Sequence, residues 1–220
     1  MTSFTALLPE VTLRSAQAPE AAVMLALARA TETFCRETWA WQEVVDKGDL
    51  ELEEDGATVT VLPASGTKAV AITALRVSGQ LLLPVGDSAY QVMYASTPMW
   101  PPRAYYVPRP DAIALVNPIP EKRIAQAMEE LEVTQALAPR HDATTVPNFL
   151  IDNHASALVA GALYYLATIS GAPSADPGAA KLYSDEFSAG IAMARRNKNA
   201  GYVNSTMRVQ PQPLAMGSQL

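Results

Sequence analysis

The sequence has very little of the chemistry that cysteine and histidine provide. Its 220 residues include one cysteine, Cys35, and two histidines, His141 and His154. A single cysteine excludes an intramolecular disulfide, and two histidines are too few for a histidine-rich metal site. We interpret Cys35 as a small buried hydrophobe, and His154 as a histidine of the core or of a subunit interface. The sequence therefore predicts neither a metal site nor a cofactor.

Long apolar runs and catalytic motifs are also absent. The most apolar segment, 155–169, is too short to cross a bilayer and contains two tyrosines. The first nine residues lack the basic region of a secretory signal, so we expect a soluble protein with no membrane partner. There is no glycine-rich phosphate loop, paired-carboxylate motif or nucleophile elbow. Gly86-Asp87-Ser88 matches only the start of a lipolytic motif, and we expect it to form a turn. A hydrolase that uses Ser88 or Cys35 is an alternative, but the sequence favours a protein that is not an enzyme.

Acidic residues are missing from the C-terminal end. The formal net charge is −6, and the last acidic residue is Glu186. Residues 187–220 carry four cations and no acid, which leaves −10 for residues 1–186, with 12 basic and 22 acidic residues. This asymmetry favours an acidic partner or a phosphate backbone at the C-terminal end, whereas the body is not expected to bind nucleic acid. The alternative is a solvated helix end whose cations interact with the helix dipole.

The N-terminal part contains one clear helical pattern. Residues 1–17 have no clear periodicity, and we expect them to form an extended lead-in. Apolar residues then recur at helical spacing, which predicts a helix over 19–37. From Thr38 the pattern has a period of two, which predicts a strand with Trp39 and Trp41 on one face. We interpret these tryptophans as core or subunit-interface residues, and a stacking platform for sugars or bases is the alternative.

Short strands dominate residues 50–139. The candidate strands are 50–53, 58–62, 68–77, 80–84, 89–94, 104–107, 112–116 and 131–137. Turn sequences separate them, and Ser78-Gly79 predicts a tight hairpin. This spacing predicts an antiparallel sandwich or a small barrel. Residues 121–130 fit either a short helix or a charged loop.

Two helices and an arm end the chain. A wide apolar arc over 150–169 predicts a helix buried on more than one side, and small residues around Gly161 allow another backbone to come close. Asp176 is the expected N-cap of a second helix that begins at Pro177. Residues 201–220 have no period, and we expect an extended arm that only a partner would order. The expected division of the chain is 1–37 for the lead-in and first helix, 38–139 for a β-rich inserted domain, 140–200 for two helices and 201–220 for the arm.

Several segments, taken in order, carry a resemblance to a known family. They are Leu8-Pro-Glu-Val, Glu32-Thr-Phe-Cys-Arg-Glu-Thr-Trp-Ala-Trp, Leu115-Val-Asn-Pro-Ile-Pro, Leu137-Ala-Pro-Arg, Val146-Pro-Asn-Phe-Leu, Ala160-Gly-Ala-Leu-Tyr-Tyr-Leu and the stretch from Ala179 to Arg195. By order and spacing they resemble the head-to-tail adaptor (connector) proteins of tailed bacteriophages, over nearly the whole chain. One departure is the link 170–177, which lacks a tryptophan that many relatives have there.

The resemblance implies an α+β fold and a structural role in the virion. The implied fold is a helical bundle of three main helices with an inserted antiparallel β-sandwich or barrel-like domain and an extended C-terminal arm. Such proteins form a ring, typically of twelve subunits, beneath the portal protein in the neck of the virion, after assembly in the host cytoplasm. The ring extends the channel through which double-stranded DNA passes without specific binding during genome ejection. It also offers an attachment surface to tail nozzle or tail tube proteins.

The resemblance also indicates which residues would make these contacts. In relatives the C-terminal segment docks against the portal, which gives the docking candidates Arg195, Arg196, Lys198, Tyr202, Arg208, Pro211, Pro213, Leu214 and Leu220. The candidates for the subunit interface are Trp39, Trp41, Trp100, His154 and Tyr165. The alternative among virion proteins is a tail or baseplate component that binds host glycans through Trp39, Trp41, Tyr105 or Tyr106.

Overall fold

A computed structural model describes residues 1–94, 97–169 and 174–200 of the chain. The helices are α1 (Leu8–Arg14), α2 (Glu20–Thr38), α3 (Asp87–Met93), α4 (Ile124–Glu130), α5 (Asn148–Thr168) and α6 (Pro177–Ala200), with short 3-10 helices at Phe4–Leu7, Lys47–Asp49 and Glu121–Arg123. The strands are β1 (Thr2–Ser3), β2 (Gln42–Val44), β3 (Leu50–Leu52), β4 (Thr58–Val61), β5 (Thr67–Val77), β6 (Gln80–Leu81), β7 (Leu83–Pro84), β8 (Ala104–Arg109), β9 (Ala112–Leu115), β10 (Leu131–Pro139) and β11 (Thr145–Val146). The fold is therefore mixed α+β, as the sequence predicts.

The first seventeen residues are largely helical, so the prediction of an extended lead-in is wrong. A 3-10 turn over Phe4–Leu7 leads directly into α1. Phe4, Leu7 and Val11 are all buried, and their spacing of three and four residues places them on one helical face. Pro9 lies in the first turn of α1, where its missing N–H costs no helical hydrogen bond. A proline in this segment therefore marks a helix start and not a break.

Helix α2 agrees with the predicted span 19–37 to within one residue, but the strand after it is shorter than expected. Trp39 caps the helix in the left-handed conformation, with φ 50°, and its N–H donates to the Cys35 carbonyl at 2.8 Å. Strand β2 begins only at Gln42. The prediction that Trp39 and Trp41 share a strand face is wrong, because the left-handed residue turns the chain between them.

Within the described residues, the strands form two larger sheets and one small one. The four-stranded sheet has the order β2-β10-β5-β6 and is antiparallel. The five-stranded sheet has the order β3-β4-β9-β8-β7 and is antiparallel except for the pair β7 and β8. Strands β1 and β11 pair antiparallel. The β5–β6 hairpin turns at Ser78 and Gly79, with φ values of 49° and 80°, which confirms the predicted tight hairpin.

Three local predictions in the strand-rich region have different outcomes. The candidate strand 89–94 is wrong, because these residues fall largely in α3. A helix start at Gly86-Asp87, with the acid in the first turn, outweighs the β propensity of Tyr90 and Val92. The candidate strand 80–84 is two short strands, β6 and β7, that belong to different sheets. The open segment 121–130 is helical.

The two larger sheets share one apolar core. Ile72, Leu75, Leu131 and Val133 of the four-stranded sheet are buried in the same cluster as apolar residues of the other sheet, namely Leu50, Val59, Val61, Tyr105, Ile113 and Leu115. Pairing of β10 with β5 shifts register between Thr134 and Gln135 and again between Ala136 and Leu137. Beyond these bulges, Leu137 and Ala138 belong to the helical core. Strand β10 therefore runs from one core into the other.

Helices α2, α5 and α6 make the second core. Helix α5 packs against both of the others. A Cβ added at Gly161 would lie 2.9 Å from the Ala30 Cβ and 2.9 Å from the Phe187 ring, and one at Gly190 would lie 2.5 Å from the Ala157 Cβ. These distances confirm that small residues let the helices approach closely. The buried arc of α5 and the N-cap of α6 are also confirmed.

Candidate docking surface

The two candidate catalytic side chains, Cys35 and Ser88, lie in different parts of the subunit. Cys35 is fully buried, and burial raises the pKa of its thiol to about 12, so the thiol stays protonated and out of reach. Ser88 is an exposed residue at the start of α3, in the β-rich part of the chain. Within residues 1–94, 97–169 and 174–200, no group of three or more His, Cys, Asp or Glu side chains could hold a metal ion. In the same described ranges, no helix is long and apolar enough to cross a membrane.

Two candidates for the subunit interface are covered by the chain itself. Trp41 is 1% exposed, and its Nε1–H donates to Glu43 Oε1 at 2.7 Å. His154 is buried at a kink in α5, where its ring lies 4.8 Å from the Phe34 ring. Burial lowers the pKa of His154, since the charged imidazole would lose its hydration. In the described subunit both side chains lie in the core, which is one of the two interpretations that the sequence allows for them.

The other interface candidates keep part of their surface. Trp39 is exposed at the end of α2. Trp100 is half-buried and its Nε1–H donates to Glu130 Oε2 at 2.8 Å. Tyr165 is half-buried, and its hydroxyl lies 2.9 Å from Thr33 Oγ1, which links α5 to α2. These three side chains are not gathered on one element, so the structure supplies candidates without a single continuous patch.

The C-terminal end of α6 is fixed to the C-terminal end of α2 by two contacts. Arg195 Nε–H donates to the Glu37 carbonyl oxygen at 2.6 Å, and the same guanidinium pairs with the Glu37 carboxylate. Lys198 Nζ lies 4.9 Å from the centre of the Trp39 ring, a cation–π contact. Burial lowers the pKa of Lys198. A cation at the last carbonyls of α2 also complements the dipole of that helix.

These contacts change the list of portal-docking candidates. Arg195 and Lys198 contact α2 within the subunit, and both residues remain exposed. Arg196 is exposed on α6. The candidates Tyr202, Arg208, Pro211, Pro213, Leu214 and Leu220 lie outside the residues that the structure describes. These contacts within the subunit could not be predicted from the sequence, because Glu37 and Trp39 lie more than 150 residues before Arg195 and Lys198 in the chain.

The aromatic platform of the glycan-binding alternative is not assembled. Tyr105 is 2% exposed and belongs to the shared core of the sheets, and Trp41 is in the helical core. Tyr106 is half-buried with its ring 5.3 Å from that of Tyr90. A sugar needs the open face of an aromatic ring, and two of the four named rings offer none.

An acidic cleft of about 900 Å³ lies in the β-rich part, between the turn after β3 and three prolines. Its rim includes Asp55, whose Oδ1 accepts the N–H groups of Ala57 and Thr58 at 2.9 and 2.8 Å, while Oδ2 accepts the Thr58 hydroxyl at 2.6 Å. Burial tends to raise the pKa of Asp55, but these hydrogen bonds outweigh it and lower the pKa overall. Glu53 pairs with Arg109 at 3.4 Å. These two carboxylates therefore shape the β3–β4 turn.

Exposed apolar side chains gather at places that the sequence analysis missed. In the segment 80–94, five large apolar side chains are exposed, namely Leu81, Leu83, Val92, Met93 and Tyr94. On α6, Leu182 and Met193 are exposed on the side opposite the buried Phe187. Leu25 of α2 and Ile169 after α5 are exposed beside each other at a shallow depression. For α6 the sequence does contain a signal. Leu182 and Met193 are eleven residues apart, which places them on one helical face, and that face is not the one that carries the predicted apolar stripe.

No protein-family model matches the chain, and a search of curated proteins finds no match. The functional conclusion therefore depends on the residues and the geometry described above.

Proposed function

We propose that this chain is a head-to-tail adaptor of a tailed-phage virion, a structural protein that forms a ring beneath the portal. The main support for the proposal is that the C-terminal end of α6 contacts the C-terminal end of α2. Arg195 and Lys198 fix its last turns to α2, immediately before the segment 201–220. The chain from 187 onward has four cations and no acid. A docking segment that starts at a fixed point loses less entropy on binding than one that starts at a loose end.

The proposed subunit has a frame of three helices and an inserted β-domain. In this arrangement α2, α5 and α6 form a bundle, and residues 38–139 form the sandwich or barrel-like insertion between α2 and α5. Two observations support it: α5 packs against both other helices, and the two larger sheets bury a core of their own. Residues 201–220 would be the arm. Portal contacts would then come from Arg196 and from the candidates of the arm, Tyr202, Arg208, Pro211, Pro213, Leu214 and Leu220.

The ring would extend the DNA channel and receive the tail. The net charge of −10 on residues 1–186 suits a channel lining, because DNA has to slide past without binding. Five exposed apolar side chains within the fourteen residues 81–94 exceed the scattered single residues of an ordinary surface. We assign this segment as the candidate surface for a tail nozzle or tail tube protein.

Electron microscopy of the purified protein with its portal tests the ring directly. Negative-stain images of the two proteins mixed should show a ring of this chain stacked coaxially on the portal. The protein alone should be examined in parallel by mass photometry, because some rings form only on their template. A protein that stays monomeric in the presence of its cognate portal would refute the proposed function.

Removal of residues 201–220 tests the docking arm. The truncated protein should keep the far-ultraviolet circular dichroism spectrum and melting temperature of the full chain, because residues between Phe4 and Ala194 build both of the cores that the structure describes. Its association with the portal should weaken. Arg196→Glu should weaken docking in the full chain. Lys181→Glu makes the same charge change at another exposed position of α6 and should leave docking unchanged. Unchanged docking by the truncated protein would show that the arm is not the contact.

A further inference from the structure

The outer side of α6 carries apolar side chains that the described residues leave exposed, with Glu186 on the same face. Leu182 is 57% exposed and Met193 is 66% exposed, with the exposed Ala189 between them. These three residues, which we call the α6 outer stripe, are spaced by seven and four positions and so lie on one helical face. At 1.5 Å per residue the stripe is about 16 Å long. It points away from Phe187 and Ala194, which face the core.

Two depressions follow one another along α2, and together we call them the α2 groove. Its lower part is a depression lined by Leu25 and Arg29 of α2 with Tyr165 and Ile169. Its upper part is a depression lined by Thr33 and Glu37 of α2 with Ile191 and Ala192 of α6. From Leu25 to Glu37 this α2 groove extends over about 18 Å, enough for the α6 outer stripe.

The stripe and the groove lie at the same height along the helices. Ala30 of α2 and Phe187 of α6 both lie against Gly161 of α5, and Glu37 of α2 contacts Arg195 of α6. Helix α6 therefore runs parallel to α2. Each α6 residue is level with the α2 residue that lies about 157 positions earlier in the chain. By this correspondence Leu182 is level with Leu25 and Met193 is level with Arg36. Rotation about an axis parallel to the helices preserves both height and direction. A neighbour generated by such a rotation would present its stripe to the groove without any shift along the helix.

The charges beside the two surfaces are complementary. Arg29 is exposed at the lower end of the α2 groove, and Asp185 is exposed one turn beyond Leu182 on α6. Among the described residues, neither side chain takes part in an ion pair. When Leu182 is opposite Leu25, Asp185 lies three residues further along α6 and Arg29 four residues further along α2, so the two charges meet.

We propose that the α6 outer stripe of one copy packs in parallel into the α2 groove of the next copy. Leu182 lies against Leu25 and Ile169, Asp185 faces Arg29, and Met193 enters the upper depression. The two surfaces differ, so the contact is heterologous and repeats from copy to copy until rotation closes a ring. This inference rests on the proposed ring and identifies the contact that builds it.

Single substitutions on either surface should block assembly. Leu182→Glu and Leu25→Glu should each weaken association by at least about tenfold, since each loses the burial of a leucine side chain. The matched control is Leu62→Glu, because Leu62 is 41% exposed, like Leu25, but follows β4 in the β-rich part, and this variant should assemble like the unchanged protein. Sedimentation velocity gives the assembly state, and circular dichroism melting checks that each variant is folded.

Mixing and charge exchange make the test specific to this pairing. Leu182→Glu keeps an intact groove and Leu25→Glu keeps an intact stripe, so the two monomeric variants should combine into a one-to-one dimer that cannot grow. Asp185→Arg and Arg29→Asp should each weaken the ring, and the double variant should restore it.

The possible outcomes separate this contact from the ring itself. A ring that persists in Leu182→Glu, a mixture that forms no dimer, or a charge exchange without rescue would overturn the contact and leave the adaptor proposal standing. An unchanged protein that stays monomeric with its portal would overturn both.

Discussion

The substitution Gly190→Ala tests the close packing of α5 against α6. The Cβ added at Gly190 would lie 2.5 Å from the Ala157 Cβ and 3.4 Å from the Ala157 Cα. Both groups belong to helices, so a flexible side chain cannot move aside to relieve the overlap. Overpacking of this kind costs about 3 kcal/mol at the upper end of its usual range. Alanine in place of glycine in a helix gains about 1 kcal/mol. The net loss in the free energy of unfolding is therefore about 2 kcal/mol.

A double-mutant cycle shows whether the overlap is the cause. Ala157→Gly alone should cost about 1 kcal/mol through helix propensity. In the double variant the methyl group has only changed sides, so stability should return to within about 1 kcal/mol of the unchanged protein. The assay is thermal unfolding, in which a loss of 2 kcal/mol lowers the melting temperature by about 4 to 8 °C for a chain of this size. If Gly190→Ala raises the melting temperature, as at an exposed helical glycine, the close approach of α5 and α6 is wrong.

Three further predictions concern single side chains. The Cys35 thiol, buried and with its pKa raised to about 12, should react with a thiol reagent orders of magnitude more slowly in the native protein than in urea, and equal rates would contradict its burial. Burial lowers the folded-state pKa of His154 below its ordinary value of 6.5, so the unfolded chain binds the proton more tightly than the folded protein does. The free energy of unfolding should therefore fall as the pH drops below about 6.5. His154→Gln should remove this part of the pH dependence of the melting temperature. Hydrogen bonds lower the pKa of the Glu130 carboxyl, that from Trp100 most, so Trp100→Phe should raise that pKa in an NMR titration, whereas the control Trp39→Phe should leave it unchanged.

The three long helices were predictable because each contains its own evidence. Helix α2 has an apolar stripe with a period of 3.6, and α6 has both a stripe and the N-cap Asp176, whose Oδ1 accepts N–H groups of Gly178 and Ala179 at 3.0 Å. Helix α1 was missed because Pro9 suggested a break, although a proline in a first turn is compatible with a helix. Helix α3 was missed because Tyr90, Val92 and Tyr94 favour strands, and the helix-start signal at Gly86-Asp87 is short.

The candidate docking surface was less predictable because it depends on contacts between distant parts of the chain. Periodicity indicates that two faces of an element differ, but not which neighbour covers them, so Trp41 could be assigned to the core or to an interface with equal justification. The pairing of Arg195 with Glu37 joins residues 158 positions apart, and no local pattern reveals it. By contrast, the missing acids after Glu186 are a property of composition, which folding does not alter.

The continuity of β10 bears on how the proposed adaptor could work. Its first half, with Leu131 and Val133, lies in the core of the sheets, and its second half, with Leu137, lies in the helical core. A domain joined by a loose linker could turn without loss of packing, but rotation here would expose apolar residues of at least one core. The β-rich part and the helices are thus held together by buried packing as well as by chain connections. For an adaptor with portal contacts at the end of α6 and tail contacts at segment 80–94, this is the property required to hold two partners in a fixed relation.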